Sequence, residues 1–296
     1  MNGTKTMTAP ETDPDAVFRY ALKLQQAGRP AAAAELYRSL LRHFSDHPQL
    51  LYLLGTAEMQ CGRYADGVAR LTASLKAAPG NIEAYFNRAL GLQKLGRQRE
   101  ALADFDRIVA LKPDHAAAYY DRGNSLIALD RYEDALSSLN CAVALNPDHA
   151  GAQANRGRVL AKLERPEEAL ESFDRALAID PDNAKVHYDR ATVLLDLRRH
   201  AEALSGYDRA IALDAGNADA YVNRGLTLMA LDRKVEALES FDRAIALGPD
   251  DSQAYFNRGN LLDELGRKVE ALGSYDRAAE LAPDDGNVFC NRGNVL

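Results

Sequence analysis

Short polar side chains recur at a fixed spacing along most of this sequence. Every 34th residue is asparagine or aspartate in the series Asn87, Asp121, Asn155, Asp189, Asn223, Asn257 and Asn291. A side-chain amide both donates and accepts hydrogen bonds, so a row of amides can bind the backbone of an extended peptide whatever its sequence. The row therefore indicates peptide binding, and the alternative is that it only keeps an inner surface wet.

A second row, mostly aromatic, precedes the first by one residue. Its rings are Phe18, Tyr52, Phe86, Tyr120, Tyr188 and Phe256, and Ala154 and Val222 occupy the two remaining places. If packing does not need these rings, they form an exposed apolar track of the kind that marks a binding surface. The alternative is that the rings pack partly against an adjacent repeat.

Motifs for catalysis and metal binding are weak. The sequence has no glycine-rich phosphate loop, no HExxH and no nucleophile elbow. His43 and His47 could share one helix face, but no third ligand is close in sequence. Cys61, Cys141 and Cys290 form no CxxC pair, which argues against a zinc site and a disulfide framework. We predict no enzyme activity, no cofactor and no metal, and we expect buried, reduced thiols in the cytoplasm.

Charge and hydropathy restrict the partners. The formal net charge is −7, from 36 Lys and Arg against 43 Asp and Glu, which disfavours nucleic-acid binding. Neither a secretory signal nor a run of 18 apolar residues is present, so we expect no membrane partner.

Both rows belong to one 34-residue unit. Eight complete units begin at Pro14, Pro48, Ile82, Ala116, Ala150, Ala184, Ala218 and Ser252, and a ninth runs from Gly286 to Leu296. Numbered from each start, prolines after residue 13 fall only at positions 1, 17 and 32, which marks two helix starts and a closing turn. Apolar residues between them have helical spacing. We predict a disordered tail at 1–13 and one repeat domain at 14–296.

The unit has an aromatic residue at position 4, Gly or Ala at 8, Ala at 20, an aromatic at 24 and Pro at 32. This pattern resembles the tetratricopeptide repeat (TPR) family. The resemblance implies an all-α, right-handed solenoid of eight helix hairpins plus a partial ninth. It also implies that first helices line a concave groove through positions 2, 5, 6, 9, 12 and 13. Hairpin turns are expected near Gly28, Gly62, Gly96, Asp130, Glu164, Arg198, Asp232 and Gly266.

By the same resemblance, the position-6 row is similar to the asparagine ladder of O-linked N-acetylglucosamine transferases, which holds substrate polypeptide. Asn124, Arg158 and Asn260 at position 9, and Lys185 at position 2, complete the candidate partner-binding residues. Arg158 and Lys185 favour a partner with acidic residues. The carboxylate clamp of chaperone-binding relatives is matched by Asn124, Asn155 and Lys185 but not by Tyr120 and Asp189, which disfavours that ligand.

The sequence therefore predicts a scaffold that binds an extended polypeptide or a partner protein in its concave groove. The alternative is the substrate-presenting arm of a larger glycosyltransferase, because Leu296 falls inside a predicted first helix with no capping helix after it. An uncapped end would also allow self-association.

Arginine occupies position 7 in seven successive units, from Arg88 to Arg292. Position 25 carries aspartate in most of the same units, whereas repeat 2 has Leu54 and Thr72. In an antiparallel hairpin that turns near position 16, residues whose position numbers add up to about 32 should lie opposite each other. Positions 7 and 25 meet this condition, so we predict that Arg88 pairs with Asp106, Arg156 with Asp174 and Arg258 with Asp276. The alternatives are a clasp to the following repeat, such as Asp106 to Arg122, and an anion-binding row. Aspartates at position 33 are predicted helix N-caps, namely Asp114, Asp148, Asp182, Asp250 and Asp284.

Overall fold

The computed structural model describes residues 13–295, which form seventeen α-helices and contain no β-strand. The all-α prediction and the eight predicted hairpins with a ninth first helix are confirmed. The predicted N-terminal tail, apart from Asp13, lies outside the described residues, as does Leu296.

The chain divides into two compact units between Pro147 and Asp148. The first unit has four hairpins, made of α1 (Pro14–Gln26), α2 (Pro30–Leu41), α3 (Pro48–Gln60), α4 (Tyr64–Ala77), α5 (Ile82–Lys94), α6 (Gln98–Leu111), α7 (Ala116–Ile127) and α8 (Tyr132–Leu145). The second has α9 (Ala150–Lys162), α10 (Pro166–Ile179), α11 (Ala184–Asp196), α12 (His200–Leu213), α13 (Ala218–Ala230), α14 (Lys234–Leu247), α15 (Ser252–Glu264), α16 (Lys268–Leu281) and α17 (Gly286–Val295). Within each unit, every second helix also packs on the first helix of the next repeat.

All eight predicted hairpin turns are confirmed by the backbone. Gly28, Gly62, Gly96 and Gly266 have φ between 71° and 75°, and Asp130, Glu164, Arg198 and Asp232 have φ between 56° and 58°. This left-handed conformation ends the first helix, and the next amide bonds back to the carbonyl five residues earlier, as Arg29 does to Leu24. The turn sets the spacing between the two helices of each repeat.

First helices are capped from position 34. Asn81 Oδ1 accepts from the Ala84 amide at 3.0 Å, and His115 Nδ1 accepts from the Ala118 amide at 3.1 Å. The predicted caps at position 33 are wrong, because that residue remains in the turn and the helix starts later; they are Asp114, Asp148, Asp182, Asp250 and Asp284. His47 and His149 also cap helices through Nδ1, so the position-34 histidines have a structural role.

Small residues lie where the helices of a hairpin touch. The position-20 alanines from Ala101 to Ala271 are fully buried. A Cβ built on Gly225 would lie 2.6 Å from the ring of Phe241, so this close approach requires glycine. Rings at position 24, such as Phe173, Tyr207 and Phe241, form the centre of each hairpin.

Arginine at position 7 pairs with the preceding repeat. Arg122 Nε donates to Asp106 at 2.7 Å, and the same pairing joins Arg190 to Asp174, Arg224 to Asp208, Arg258 to Asp242 and Arg292 to Asp276. The predicted pairs within a repeat, Arg88–Asp106, Arg156–Asp174 and Arg258–Asp276, are therefore wrong. Four of the arginines instead reach a serine at position 23 of their own repeat, as Arg224 Nη1 reaches Ser240 at 2.6 Å; the four are Arg122, Arg156, Arg224 and Arg258. Two residues of one hairpin therefore lie opposite each other when their repeat positions add up to 30, as 7 and 23 do, and not when they add up to 32.

The contacts between repeats 1 and 2 and between repeats 2 and 3 differ from this Arg–Asp pairing. Arg88 makes a bidentate pair with Asp104 at position 23 of its own repeat and donates to Thr72 of the preceding one. Between repeats 1 and 2 the charges are reversed, because Arg38 at position 25 donates to Glu58 at 2.8 Å. Glu58 is 2% exposed and occupies position 11, where the other seven complete repeats have a leucine.

Candidate functional site

A cavity of about 550 Å³ opens on the first-helix surface of the first unit. Side chains from α1, α3 and α5 form its walls: Leu22, Gln25, Gln26, Tyr52, Leu53, Thr56, Met59, Gln60, Asn87 and Leu90. All ten occupy positions 5, 6, 9, 12 or 13, which are among those expected to line the groove. None of the ten carries a formal charge, so the cavity offers apolar contact together with amide and hydroxyl groups.

Hydrogen bonds join the polar wall of this cavity across repeats. Gln25 Nε2 donates to Thr56 Oγ1 at 3.2 Å and to Gln60 Oε1 at 3.1 Å, while Gln25 Oε1 accepts from the hydroxyl of Tyr37. Burial raises the pKa of Tyr37 to about 12, so this hydroxyl remains a donor at neutral pH. The network fixes the amides in place before any ligand arrives.

Of the predicted residues, Tyr52 and Asn87 meet in this cavity. Asn87 Nδ2 donates to the Tyr52 hydroxyl at 3.3 Å, which links position 6 of one repeat to position 5 of the preceding one. The second unit repeats the arrangement, because Asn223 Nδ2 donates to the Tyr188 hydroxyl at 3.0 Å. Both amides keep an oxygen for an incoming backbone N–H.

Aromatic residues at position 5 are half-buried, so the expectation of a freely exposed track is wrong. Four of the six rings pack on the position-24 ring of the same repeat, and Phe86 also packs against a core cluster that contains Val68 and Ala118 of the adjacent repeats. The ring centroids are 5.9 to 6.4 Å apart in the pairs Phe18–Tyr37, Phe86–Phe105, Tyr188–Tyr207 and Phe256–Tyr275. These rings therefore contribute to hairpin stability as well as to the surface.

Asn257 differs from the rest of its row. It is 7% exposed, and its Oδ1 accepts from Gln253 Nε2 at 3.2 Å. Its Nδ2 is buried and has no hydrogen-bond partner among the described residues, because position 5 of the preceding repeat is Val222 and offers no hydroxyl. Asn260 accepts from both Tyr275 and Asn291, so it is part of a bonded network.

Charged candidates cluster in repeats 5 and 6 of the second unit. Arg158 Nε lies 3.6 Å from Asp189 Oδ2, and Arg158 also donates to Asn155. Burial raises the pKa of Asp189, and the positive charges of Arg158 and Lys185 act in the opposite direction. Lys185 lies one turn before Asp189 and adds a solvent-exposed positive charge to this part of the surface.

The remaining candidates lie on α7. Tyr120 and Asp121 are half-buried, and Asn124 Nδ2 lies 3.4 Å from Asp121 Oδ1. Gln93 from α5 donates to the Asp121 carbonyl and to Ser125. This is a polar segment of the first-helix surface next to the cavity-lining helix α5.

Most residues of the cavity wall were not predicted from the sequence. Leu22, Leu53, Met59 and Leu90 occupy groove positions, but leucine and methionine at helical spacing are equally typical of a core. Only the position numbers could have identified them, because no regular pattern of residue type links them along the chain.

Residues 13–295 contain no group of three or more His, Cys, Asp or Glu side chains arranged to hold a metal ion. Cys61 and Cys141 are half-buried thiols, and Cys290 is exposed rather than buried as expected. Every described helix is too short or too polar to cross a bilayer.

Comparisons with known proteins agree with the repeat architecture. YrrB, described as a TPR protein with an unusual peptide-binding site, is 25% identical to this chain and superposes with a TM-score of 0.57. The aligned region covers 64% of this chain and 97% of the YrrB chain. A TPR protein from Parabacteroides merdae is 21% identical and covers 84% of this chain and 98% of its own with a TM-score of 0.60. The pilF protein of Pseudomonas aeruginosa is 20% identical and covers 70% and 94% with a TM-score of 0.61. Among curated proteins, none matches this sequence significantly.

Profiles of the tetratricopeptide repeat match residues 24–89, 86–140, 120–184, 188–252 and 236–286. These matches cover most of the chain and agree with the 34-residue unit and its hairpins. The chain belongs to the tetratricopeptide repeat family.

Proposed function

We propose that this protein is a non-enzymatic interaction scaffold that binds an extended polypeptide segment along its first-helix surface. The observation that carries the proposal is the cavity formed by α1, α3 and α5, because three successive repeats contribute to one recess. A polypeptide segment that lies across this recess can contact all three repeats at once. A cytoplasmic location and the absence of nucleic-acid and membrane partners remain predictions from the sequence.

The wall chemistry supports a peptide ligand. Leu22, Leu53 and Leu90 can cover an apolar side chain, while Gln25 and Asn87 can bond peptide groups on either side of it. The peptide-binding description of YrrB, which is 25% identical, supports the same role. Of the site residues proposed from the sequence, Tyr52 and Asn87 line this cavity, and the contact of any of them with a ligand remains a prediction.

The test is selection of peptides from a random library on the wild-type protein, followed by affinity measurements on variants. Thr56→Arg with Leu90→Arg introduces two charges into the cavity. Ala103→Arg with Ser137→Arg makes the same charge change on exposed positions of α6 and α8 and serves as the control. We expect the selected peptides to lose about tenfold or more in affinity for the cavity variant and to keep their affinity for the control. Equal binding by both variants, with unchanged circular dichroism, would refute the proposal.

The position-6 row favours a second candidate, the substrate-presenting arm of a glycosyltransferase. A groove that reads peptide backbone would bind unrelated sequences with similar affinity. Replacing Asn155 and Asn223 together by Ala would then weaken many peptides by similar factors, at about 0.5–1.5 kcal/mol for each neutral hydrogen bond lost. Replacing Tyr120 and Tyr188 would instead change the preference among sequences. Unchanged affinity in the asparagine variant would reject the ladder.

A further inference from the structure

The arginine row of the second unit is interrupted at repeat 6. Arg224 and Arg258 each use Nε for an aspartate of the preceding repeat and Nη1 for a serine of their own repeat, Ser240 or Ser274. Arg190 keeps the first bond, from Nε to Asp174 at 2.7 Å, but the serine position is Gly206. Within residues 13–295, the terminal nitrogens of Arg190 therefore have no hydrogen-bond acceptor.

Repeat 6 differs from its neighbours at two positions where the helices of the hairpin touch. Repeats 5, 7 and 8 have glycine at position 8 and serine at position 23, whereas repeat 6 has Ala191 and Gly206. A Cβ built on Gly206 would lie 2.8 Å from the Cβ of Ala191, so the alanine methyl excludes a side chain at 206. Ala191 and Gly206 together keep the two helices of repeat 6 close, and the glycine leaves no hydroxyl beside Arg190.

A cavity of about 600 Å³ lies beside Gly206, with Arg190, Arg209, His187 and Ser205 in its wall. This volume is within the range of small-molecule sites. His187 occupies position 4, which is tyrosine in repeats 7 and 8, and its Nε2 donates to the Pro181 carbonyl at 2.9 Å. The residues that open the cavity are therefore particular to repeat 6.

The two carboxylates in the wall are already engaged. Asp174 accepts from Arg190 Nε, and both oxygens of Glu202 accept from Arg199 at 2.7 Å. That hydrogen bond lowers the pKa of Glu202, so its charge is matched by Arg199. Arg209 donates only its Nη2, to Asp182 at 2.6 Å. Guanidinium donors of Arg190 and Arg209 and the hydroxyl of Ser205 are thus available to a ligand.

We propose that this cavity binds an oxyanion, the carboxylate or phosphate group of a small molecule. A guanidinium presents paired N–H donors that match either group, and such charge-assisted hydrogen bonds are about twice as strong as neutral ones. Leu177 and Pro181 give the rest of the ligand an apolar contact. The site uses none of the residues of the first-unit cavity, so it does not rest on the peptide-binding proposal.

The test uses NMR titration of the full chain with acetate, with inorganic phosphate and with acetamide, the uncharged counterpart of acetate. Saturable shifts of the Ser205 and Gly206 amides are expected with at least one anion and not with acetamide. The anion that binds more tightly identifies the ligand group. No saturable shift with either anion, or equal shifts with acetamide, would overturn the proposal.

Three variants separate a built site from general charge effects. Ala191→Gly with Gly206→Ser restores the pair found in repeats 5, 7 and 8, gives Arg190 its serine and should abolish binding. Arg209→Gln should weaken anion binding by about tenfold. Arg243→Gln removes an arginine at the same repeat position 34 residues later and should leave binding unchanged. Unaltered affinity in both of the first two variants would contradict the assignment.

Discussion

Arg224 Nε lies 2.6 Å from Asp208 Oδ1, and these two residues belong to different repeats. The bond joins the first helix of repeat 7 to the second helix of repeat 6, while Arg224 Nη1 reaches Ser240 within repeat 7. One side chain therefore fastens three helices. This use accounts for the recurrence of arginine at position 7 without an anionic ligand.

A double-mutant cycle on Arg224 and Asp208 should measure this contact. Replacing each by Ala, singly and together, should give a coupling energy of about 0.5–1 kcal/mol, because the arginine is mostly buried and the aspartate half-exposed. The matched cycle on Arg224 and Asp242, the aspartate of its own repeat, should give a coupling near zero. Urea unfolding provides both values, and the reverse order would contradict the inter-repeat assignment.

The wrong pairing prediction has a specific cause. Asp208 precedes Arg224 by 16 residues and Asp242 follows it by 18, and in a periodic sequence both offsets recur equally. Only the stacking of one hairpin on the next decides between them. By contrast, Glu164 and Arg198 could be located as turn residues, because the apolar helical pattern itself stops there. Local sequence signals therefore predict the hairpins, whereas the contacts between hairpins depend on how one hairpin stacks on the next.

The same limit applied to the candidate site. Tyr52 and Asn87 were found because their residue types recur, and Met59 and Leu53 were missed because theirs do not. A recess forms where side chains of unequal size meet across three helices. Such a difference is not periodic, so the repeat pattern cannot reveal it.

Glu58→Leu should stabilise the first unit. Glu58 is buried at a leucine position, and its Oε2 has no hydrogen-bond partner among the described residues. Arg38, its partner, is partly exposed and retains Glu35. Replacing a buried ion pair by well-packed apolar groups often stabilises a protein by about 1–4 kcal/mol. Thermal unfolding should show a higher Tm for Glu58→Leu and a lower one for Glu58→Ala; a lower Tm for both would show that the charge itself is needed.

His115→Ala should destabilise the protein by about 1 kcal/mol through loss of the α7 cap. His115→Asn should keep most of that stability, since asparagine caps α5 from the equivalent position. The imidazole also packs 5.2 Å from the Phe86 ring, and both variants lose that contact. The difference between the two variants in urea unfolding therefore isolates the cap, and no difference would argue that the ring contact is the whole role.

Asp189→Asn should stabilise the second unit at neutral pH. Burial raises the pKa of Asp189 above its usual value of 3.8, which means that the folded state disfavours the charged form. The resulting loss of stability is present above the folded pKa and disappears as pH falls through that pKa toward the unfolded value. The gain in unfolding free energy of the variant over wild type should therefore shrink as the pH is lowered. A gain that grows on acidification would show that pairing with Arg158 outweighs burial.

Val222→Tyr should satisfy the buried amide of Asn257. In two other repeats a tyrosine hydroxyl at position 5 accepts from the asparagine 35 residues later, as Tyr52 does from Asn87. A ring at residue 222 would pack on Phe241 as Phe86 packs on Phe105. The new hydrogen bond should stabilise the protein by about 1 kcal/mol relative to Val222→Phe, which adds the ring without the hydroxyl.

Urea unfolding of both variants, repeated in an Asn257→Ala background, tests the origin of this effect. If the hydroxyl acts through Asn257, the difference between tyrosine and phenylalanine should vanish once that amide is removed. A difference that persists in the alanine background would mean that the hydroxyl gains its stability from solvent or another group. Equal stability of the two variants in the wild-type background would show that the Asn257 amide finds an acceptor without help from position 5.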